Sequence, residues 1–344
     1  MQGIPLNERK RLGALLDDRP QTEVMAMIPQ FSQAETDNFV APPAQIPEAL
    51  GVLMFNMERG VNLPEIQEFL RDCPDIQPFD VILANELDDG CARSGNKNTA
   101  RELAQAFGLN YAWGLEFIEL VNDENAKGFH GNAVFSRWPI RRAGVIRLPE
   151  QYNWYFDRQK RIGGRLAVFA ELDVGGQPVG AVSIHLENRT HGEGRKAQMA
   201  AILEAVRKEL PDMPLILAGD LNTNTFDGRA KEDIGAIAAD PALRRRCLED
   251  VGSFEPLLPL CAADGYEIVP KEPRLTRRKP LPNGDSLPLR LDWILLKGVT
   301  ASESRMISTA KEDLTYAKPG SALERFQGAE LSDHNAVWAM CRLR

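Results

Sequence analysis

The chain lacks the features that define several large classes of protein. Its 344 residues include only five cysteines, scattered and odd in number, so it is not a disulfide-stapled scaffold. We expect these thiols to be reduced and mostly buried. The N-terminus has no apolar stretch of the secretory type, and no apolar run is long enough to cross a bilayer. We therefore expect a cytoplasmic protein with no membrane partner, and we expect a monomer.

Positively charged residues are outnumbered by negatively charged ones. Lys and Arg number 41 against 49 Asp and Glu, which gives a net charge of −8 and a pI near 5.3. This balance argues against a broad, non-specific affinity for nucleic acid, although a local basic groove remains compatible with it. The hydrophobic fraction of 43% and the charged fraction of 26% are typical of a globular protein.

The sequence divides into an N-terminal extension, residues 1–50, and a single domain, residues 51–344. Residues 8–16 have the composition of a short helix, and residues 39–47 contain three prolines, which is typical of an extended connector. The regular alternation of apolar strands and helices begins only after this connector.

Within the domain, apolar runs of strand length alternate with helical patterns such as residues 99–107 and 195–210. A Gly175-Gly176 turn joins two of the strands as a hairpin. Residues 270–288 are rich in Pro and Arg and predict a loop. Because hairpins interrupt the alternation, we predict an α/β fold with mixed sheets covered by helices, not a purely parallel sheet.

Polar side chains cluster at the ends of the apolar strands. Four strands end in such a residue, a fifth opens with one, and the last strand is preceded by two. Strand ends at one edge of a layered fold converge in space, and function is usually found there. These residues are Asn56, Glu86, His185, Asp220, Asp292, Asp333 and His334.

The residue types suit the hydrolysis of a phosphoester with a metal ion. Mg²⁺ prefers hard oxygen ligands, usually one or two carboxylates, and Glu86 and Asp333 can supply them. A metal-polarised phosphoryl group needs a water to attack it, and Asp220 can accept the proton of that water.

Charge that develops on the phosphate oxygens requires donors. His334, His185 and Asn222 are the candidates for this role. A histidine needs a partner to hold its tautomer or its charge, and Asp292 is the candidate partner of His334.

With these residues, the chain resembles the endonuclease/exonuclease/phosphatase superfamily, which is also called DNase I-like. Within it, the chain resembles the branch whose members have two histidines in the site. Seven strings stand in the order of that family. They are Phe55-Asn56-Met57-Glu58, Asn85-Glu86, Gly131-Asn132-Ala133-Val134-Phe135-Ser136-Arg137, Ile184-His185-Leu186-Glu187-Asn188, Gly219-Asp220-Leu221-Asn222-Thr223, Arg290-Leu291-Asp292-Trp293-Ile294 and Ser332-Asp333-His334. The resemblance implies a four-layer α/β sandwich, two mixed β-sheets face to face flanked by helices, and cleavage of phosphoesters with Mg²⁺ or Mn²⁺.

The resemblance also implies roles for single residues. Glu86 corresponds to the principal metal ligand, with Asn56 beside it and Asp333 assisting the metal or its waters. Asp220 corresponds to the residue that aligns or activates the water, and Asn222 to an amide that contacts the phosphate.

The two imidazoles complete the implied site. His334, supported by Asp292, corresponds to the phosphate-binding histidine, and His185 to the second one. One departure from the family is Asn85, where a glutamine usually precedes the metal-binding glutamate. Asparagine keeps the side-chain amide of glutamine, but its side chain is shorter by one methylene group.

Two basic clusters, in residues 158–165 and 274–279, are candidates for holding phosphates of the substrate, because local charge can draw a polyanion to an acidic protein. For His130, both a substrate contact and a structural role stay open. The residues that we predict to bind substrate are Asn132, Arg165, Arg277 and Arg278.

The leading functional hypothesis is a metal-dependent phosphodiesterase that acts on nucleic acid or a nucleotide-like ester. The alternative is a phosphomonoesterase or lipid phosphodiesterase of the same fold, of the inositol-phosphate phosphatase or sphingomyelinase type. A catalytically inactive binding module is disfavoured, because Glu86, Asp220 and His334 are all present.

Overall fold

A computed structural model describes residues 1–43, 45–224, 231–281 and 283–343 of the chain, with the side chains of 231–233 left out. The strands are β1 (Ala34–Asp37), β2 (Leu50–Arg59), β3 (Val81–Asp89), β4 (Asn110–Glu119), β5 (Phe129–Ser136), β6 (Ile140–Arg147), β7 (Arg161–Gly163), β8 (Leu166–Val174), β9 (Gln177–His185), β10 (Leu215–Asp220), β11 (Glu267–Val269), β12 (Arg277–Pro280), β13 (Ser286–Leu289), β14 (Asp292–Lys297), β15 (Val299–Ile307) and β16 (Ala336–Leu343). The helices are α1 (Leu6–Ala14), α2 (Gln21–Ala26), α3 (Leu63–Asp72), α4 (Thr99–Phe107), α5 (Gly192–Glu209), α6 (Lys231–Ala239), α7 (Pro241–Glu249), α8 (Leu257–Ala263) and α9 (Ala322–Arg325).

The strands form two large mixed sheets and one hairpin. The larger sheet has the order β1-β4-β5-β3-β2-β16-β15, with β7 paired to β4. The smaller sheet has the order β11-β14-β10-β9-β8-β6, and β12 pairs with β13 alone. Within the sheets, β2 and β3 are parallel, as are β9 and β10, while the other pairs are antiparallel. The prediction of mixed sheets is confirmed.

The two sheets pack face to face, and strand β2 shows why its sequence is apolar without alternation. Val52 and Met54 lie in the core between the sheets, together with Ile216 of β10. Leu53 and Phe55 point to the opposite side, into the core that helices α3 and α4 share with the larger sheet. Because successive residues of a strand face opposite sides, a strand covered on both faces is apolar throughout.

Helices cover the outer face of the smaller sheet as well. Met199, Ile202 and Val206 of α5 lie in one core cluster with Ile184 of β9 and Leu217 of β10. Helix, sheet, sheet and helix therefore stack in order, which is the four-layer α/β sandwich that the sequence predicted.

The N-terminal segment packs closely against the larger sheet. Strand β1 pairs with β4 along its full length, and Leu12, Val24 and Phe31 are buried in the same core as α3 and α4. The boundary at residue 50 stays a prediction, but the segment before it contributes both an edge strand and core side chains.

Several elements differ from the sequence expectation. The loop predicted over residues 270–288 contains β12 and part of the β12–β13 hairpin, because Arg, Lys and Pro obscure its strand pattern. Strands β6 and β15 were not predicted, since both are rich in charged residues on an exposed face. No helix in the described part of the chain is long and apolar enough to cross a membrane.

Candidate active site

A cavity of about 250 Å³ opens at the edge where the polar strand ends meet. The predicted residues that line it are Glu86, Arg165, His185, Asp220, Asn222, Arg277, Asp333 and His334. His185 and His334, which lie far apart in the chain, therefore face one site. Of the remaining predicted residues, Asn56 and Asp292 lie directly behind the wall, in contact with Asp220 and His334 respectively, and Asn132 and Arg278 are outside the lining.

Asp220 lies at the centre of this arrangement. Its Oδ2 is 3.7 Å from Nε2 of His185 and 3.6 Å from Nε2 of His334. Its backbone N–H donates to Oδ1 of Asn85 at 2.8 Å, so the amide of Asn85 ties the end of β10 to β3. Asp220 is thus a carboxylate held between two imidazoles.

Glu86 lies beside Asp220 and is linked to it through Asn56. The amide nitrogen of Asn56 is 3.4 Å from Oε1 of Glu86 and 3.2 Å from Oδ2 of Asp220. Glu86 has a positive φ of 56°, a conformation that is uncommon outside glycine. Its strand is irregular here, because the register of β3 with β5 shifts between residues 84 and 87.

The electrostatic surroundings keep Glu86 ionised. Burial opposes its charge, but the positive charges of His130, Arg59, His185 and His334 outweigh burial and hold the pKa of Glu86 well below its usual range. An ionised carboxylate in a polar cavity is the form that a divalent cation binds.

His334 is held by the predicted partner. Its Nδ1 lies 2.8 Å from Oδ2 of Asp292, which is completely buried. Burial would lower the pKa of His334, but the charges of Asp292 and Asp220 outweigh it and raise that pKa to about 10. His334 is therefore an imidazolium at neutral pH, with two N–H donors.

His185 has a carboxylate partner that the sequence analysis missed. Oε2 of Glu116 lies 3.1 Å from Nδ1 of His185, and Oε1 accepts from Arg165 at 3.0 Å. The positive charges of His185 and Arg165 outweigh burial and lower the pKa of Glu116 to about 2. The available signal was a single carboxylate within the otherwise uncharged residues 111–118.

His130 lies behind Glu116 and does not line the cavity. Its Nδ1 is 2.9 Å from Oδ1 of Asp88, and its Nε2 is 3.9 Å from Oε2 of Glu116. Arg93 in turn holds Asp88 through two hydrogen bonds of 2.7 and 2.8 Å. Of the two alternatives for His130, the structure agrees with the structural role.

The structure places two of the predicted substrate contacts away from the cavity lining. Asn132 is completely buried, and its Oδ1 accepts from the backbone N–H of Glu86 at 3.2 Å, so it supports Glu86 from below. Arg278 does not line the cavity, whereas Arg277 and Lys279 do. Alternate residues of strand β12 face opposite sides, which separates Arg278 from its neighbours.

The residues of the first basic cluster, 158–165, also do not all face the cavity. Arg165 lines the cavity, but Arg161 is buried and paired with Glu119 at 3.0 Å. Lys160 lies over the ring of Tyr155. The cluster therefore contributes one cation to the cavity instead of a continuous basic surface.

The chemistry of the donor set fits a hard divalent cation. Glu86 and Asp333 line the cavity together with Glu58, whose carboxylate accepts from the backbone N–H of Asp333 at 3.1 Å. The ligand role predicted for Asn56 is not supported by its orientation, because its oxygen accepts from the backbone N–H of Glu58 at 3.1 Å and its nitrogen faces the carboxylates.

A second group of possible ligand atoms lies within 4.8 Å of one another, on Asp220, Asp292 and His334. In this group Nδ1 of His334 lies 2.8 Å from Oδ2 of Asp292, and a metal ion at Nε2 would need the neutral imidazole. Glu58, Glu86 and Asp333 line the cavity with carboxylates alone, the ligand type that Mg²⁺ prefers, and Asp333 is ion-paired with Arg277.

Comparison with known proteins places this site in a family. A sequence model of the Endonuclease/Exonuclease/phosphatase family matches residues 55–334. No curated protein matches the sequence.

Solved structures share the fold at low sequence identity. A family protein from Bacteroides thetaiotaomicron is similar with a TM-score of 0.53 at 14% identity, covering 87% of this chain and 99% of the other. An endonuclease/exonuclease/phosphatase from Beutenbergia cavernae DSM 12333 has a TM-score of 0.51 at 19% identity, covering 86% and 72%. A mannosyl-6-phosphatase from Bacteroides thetaiotaomicron VPI-5482 has a TM-score of 0.51 at 13% identity, covering 85% and 99%. The chain belongs to the endonuclease/exonuclease/phosphatase family.

Proposed function

We propose that the protein is a metal-dependent phosphodiesterase whose substrate is a nucleic acid or a nucleotide-like ester. The family to which it belongs consists of hydrolases of phosphoester bonds. The observation that carries the finer proposal is the position of Asp220, whose Oδ2 lies within 4 Å of both cavity histidines and shares the amide of Asn56 with Glu86.

Glu86, Asp333 and Glu58 are the residues that would hold Mg²⁺ or Mn²⁺. When bound, such an ion polarises the phosphoryl group and makes a coordinated water more acidic. Asp220 would accept the proton of the attacking water at Oδ2, as the carboxylate nearest to both imidazoles.

The donors of the site would stabilise the charge that grows on the phosphate oxygens. His334 presents its Nε2–H to the cavity while Asp292 holds Nδ1. Asn222 uses one N–H on the carbonyl of Leu186 at 2.9 Å, so the second N–H of its amide is available to a phosphate. Glu116 orients His185 at Nδ1, and Nε2 of His185 faces Nη1 of Arg165 at 2.9 Å. Since a guanidinium only donates, Arg165 would be the donor on this side of the cavity.

The lining of the cavity supports an anionic, polar substrate. Cationic side chains surround it on several sides, and the apolar side chains of its described lining are Ile234, Leu289 and Leu291. A lipid phosphodiesterase needs apolar surface for the acyl chains of its substrate, and this lining offers little. The cationic side chains are Arg59, Arg165, Arg189, Arg277 and Lys279.

A second candidate, a phosphomonoesterase, is favoured by the small size of the cavity. A volume of about 250 Å³ suits a compact substrate such as a sugar phosphate, and one structural neighbour is a mannosyl-6-phosphatase. The two candidates differ in whether the scissile phosphate carries one ester bond or two.

A substrate panel separates these candidates. Single- and double-stranded oligonucleotides and bis-p-nitrophenyl phosphate serve as diesters, with p-nitrophenyl phosphate and mannose 6-phosphate as monoesters. We expect hydrolysis of the diesters with Mg²⁺ or Mn²⁺, loss of hydrolysis with EDTA, and recovery when Mg²⁺ is restored. Faster turnover of the monoesters would favour the second candidate, and full activity in EDTA would refute metal dependence.

A further inference from the structure

The cations that line the catalytic cavity differ in how far partners in the protein already engage them. The side chains of Arg165 and Arg277 are only 5% and 19% exposed, and both form close ion pairs with carboxylates. The side chain of Arg189 is 46% exposed, and its Nη2 lies 3.6 Å from Oδ2 of Asp157, which is beyond hydrogen-bonding distance. Within the part of the chain that the structure describes, the guanidinium of Arg189 donates no hydrogen bond. Its N–H groups are therefore open to a ligand.

Arg189 is nevertheless held in place by its surroundings. Its guanidinium lies 5.9 Å from the ring centroids of both Tyr152 and Trp154, and its backbone N–H donates to Oε1 of Glu187 at 2.8 Å. Trp154 is buried, and its Nε1–H donates to Oε2 of the same glutamate at 2.9 Å. A cation that is fixed in this way, with its N–H groups open, is a preorganised site for an oxyanion.

The preceding residue, Asn188, adds a second donor to the same wall of the cavity. Its Oδ1 accepts from Nη2 of Arg165 at 3.3 Å, and this bond sets the orientation of the amide. The two N–H groups of the amide have no acceptor among the described residues. Nη1 of Arg165 lies 2.9 Å from Nε2 of His185, so a single guanidinium group connects Asn188 to the catalytic centre.

The carboxylates on this wall are engaged by donors of the protein. Glu187 is only 1% exposed, and its Oε2 accepts from Trp154 and from Nε of Arg165 at 3.3 Å. Oδ2 of Asp157 accepts from the hydroxyl of Tyr152 at 3.1 Å. The guanidinium and the amide described above therefore stay open to an anion that enters the cavity from solvent.

We propose that Arg189 and Asn188 form a second phosphate subsite, which holds the phosphate next to the scissile one in a polynucleotide chain. The inference rests on the proposed phosphodiesterase function and names its substrate class, an oligonucleotide with at least two phosphodiester linkages. The planar fork of a guanidinium matches two oxygens of one phosphate, and the amide of Asn188 donates to the same group. A sugar phosphate lacks a second phosphate and gains nothing from this subsite.

Trinucleotides of equal length test the proposal on the full chain. TpTpT carries two charged linkages, and each of two analogues replaces one of these linkages with an uncharged methylphosphonate. Binding is measured by calorimetry in EDTA, which removes the metal ion that the proposed hydrolysis requires. We expect TpTpT to bind about tenfold more tightly than either analogue, because the second charged phosphate forms charge-assisted hydrogen bonds.

Three variants assign this preference to the subsite. Arg189→Gln should remove most of the preference for TpTpT over the analogues. Arg158→Gln, the same change at an exposed arginine outside the cavity lining, should retain it. Asn188→Asp keeps an acceptor for Arg165 but replaces the amide N–H₂ with a carboxylate oxygen, so it should also remove the preference.

The proposal is overturned if the wild type binds all three trinucleotides equally, or if the preference for TpTpT persists in Arg189→Gln. It is also overturned if Arg158→Gln loses the preference to the same extent, because the effect would then come from the general charge of the surface. The substrate panel described above tests the hydrolytic function separately. A chain that hydrolyses no diester but prefers TpTpT would contradict the proposed function and retain the subsite.

Discussion

Asp220 and Asp292 are paired directly across the antiparallel strands β10 and β14. Two carboxylates in this position repel each other unless a positive charge lies between them. His334 supplies that charge, with Nδ1 at 2.8 Å from Asp292 and Nε2 at 3.6 Å from Asp220. The same pairing explains why the pKa of His334 is raised to about 10. The imidazolium is therefore part of the resting site.

Neutralising either central carboxylate tests the catalytic assignment. We expect Glu86→Gln and Asp220→Asn each to lower kcat on a phosphodiester by about a thousandfold or more, because members of a catalytic unit act together. Steady-state kinetics at saturating Mg²⁺ measures the change. Glu124→Gln, an exposed acid outside the site, is the control, and near-wild-type turnover by either site variant would contradict the mechanism.

The missed residue Glu116 is expected to be a positioning residue for His185. Glu116→Gln removes the charge that holds Nδ1 of His185, so we expect kcat to fall about a hundredfold with a smaller change in KM. Glu119→Gln is the matched control, because Glu119 is a buried acid on the same strand that pairs with Arg93 and Arg161. Equal effects of the two substitutions on kcat would refute a specific role for Glu116.

The alternation along strand β12 makes a prediction for substrate binding. Lys279 lines the cavity and its neighbour Arg278 does not. Lys279→Gln should therefore weaken the binding of an oligonucleotide and reduce the slope of log K against log salt by about 1, whereas Arg278→Gln should leave both nearly unchanged. Binding titrations across a salt series measure this. A larger effect at Arg278 would contradict the observed facing of the strand.

A buried ion pair is expected to dominate the stability of the loops behind the site. Arg195 and Glu255 are both completely inaccessible, and Nε of Arg195 lies 3.0 Å from the carboxylate oxygens. Arg195→Met leaves Glu255 as a buried charge without this partner, which costs about 3–5 kcal/mol of unfolding free energy.

The control for Arg195→Met is a substitution at Lys196, the next residue of helix α5. Lys196 is half-exposed and pairs with the exposed Glu193 at 3.3 Å, so Lys196→Met should cost less than about 1 kcal/mol. Urea denaturation of both variants gives the comparison. A cost at Arg195 as small as that at Lys196 would show that the buried pair contributes little.

Much of the fold was predictable because its signals are local. Helix α4 was predicted over residues 99–107, which are the residues it occupies. In the structure, the side chain of Asn98 accepts from the backbone N–H of Arg101 at its start, and Gly108 ends it in a left-handed conformation. The strands that carry Glu86, His185 and Asp220 were predicted from the apolar runs that lead into these polar residues. Such a run can be recognised as a strand from the sequence alone, without knowing which strands it pairs with.

The sequence by itself determined which residue types stand at the strand ends, and hence the chemistry that the site can perform. Only the tertiary structure decided how they meet. Glu116 reaches His185 because β4 packs across from β8, the neighbour of β9 in the facing sheet. Lys279 faces the cavity because the β12–β13 hairpin joins the site through a bridge between Arg277 and His334. The physical reason is that the facing of a strand depends on pairing between segments far apart in the chain, and a register shift of one residue reverses it.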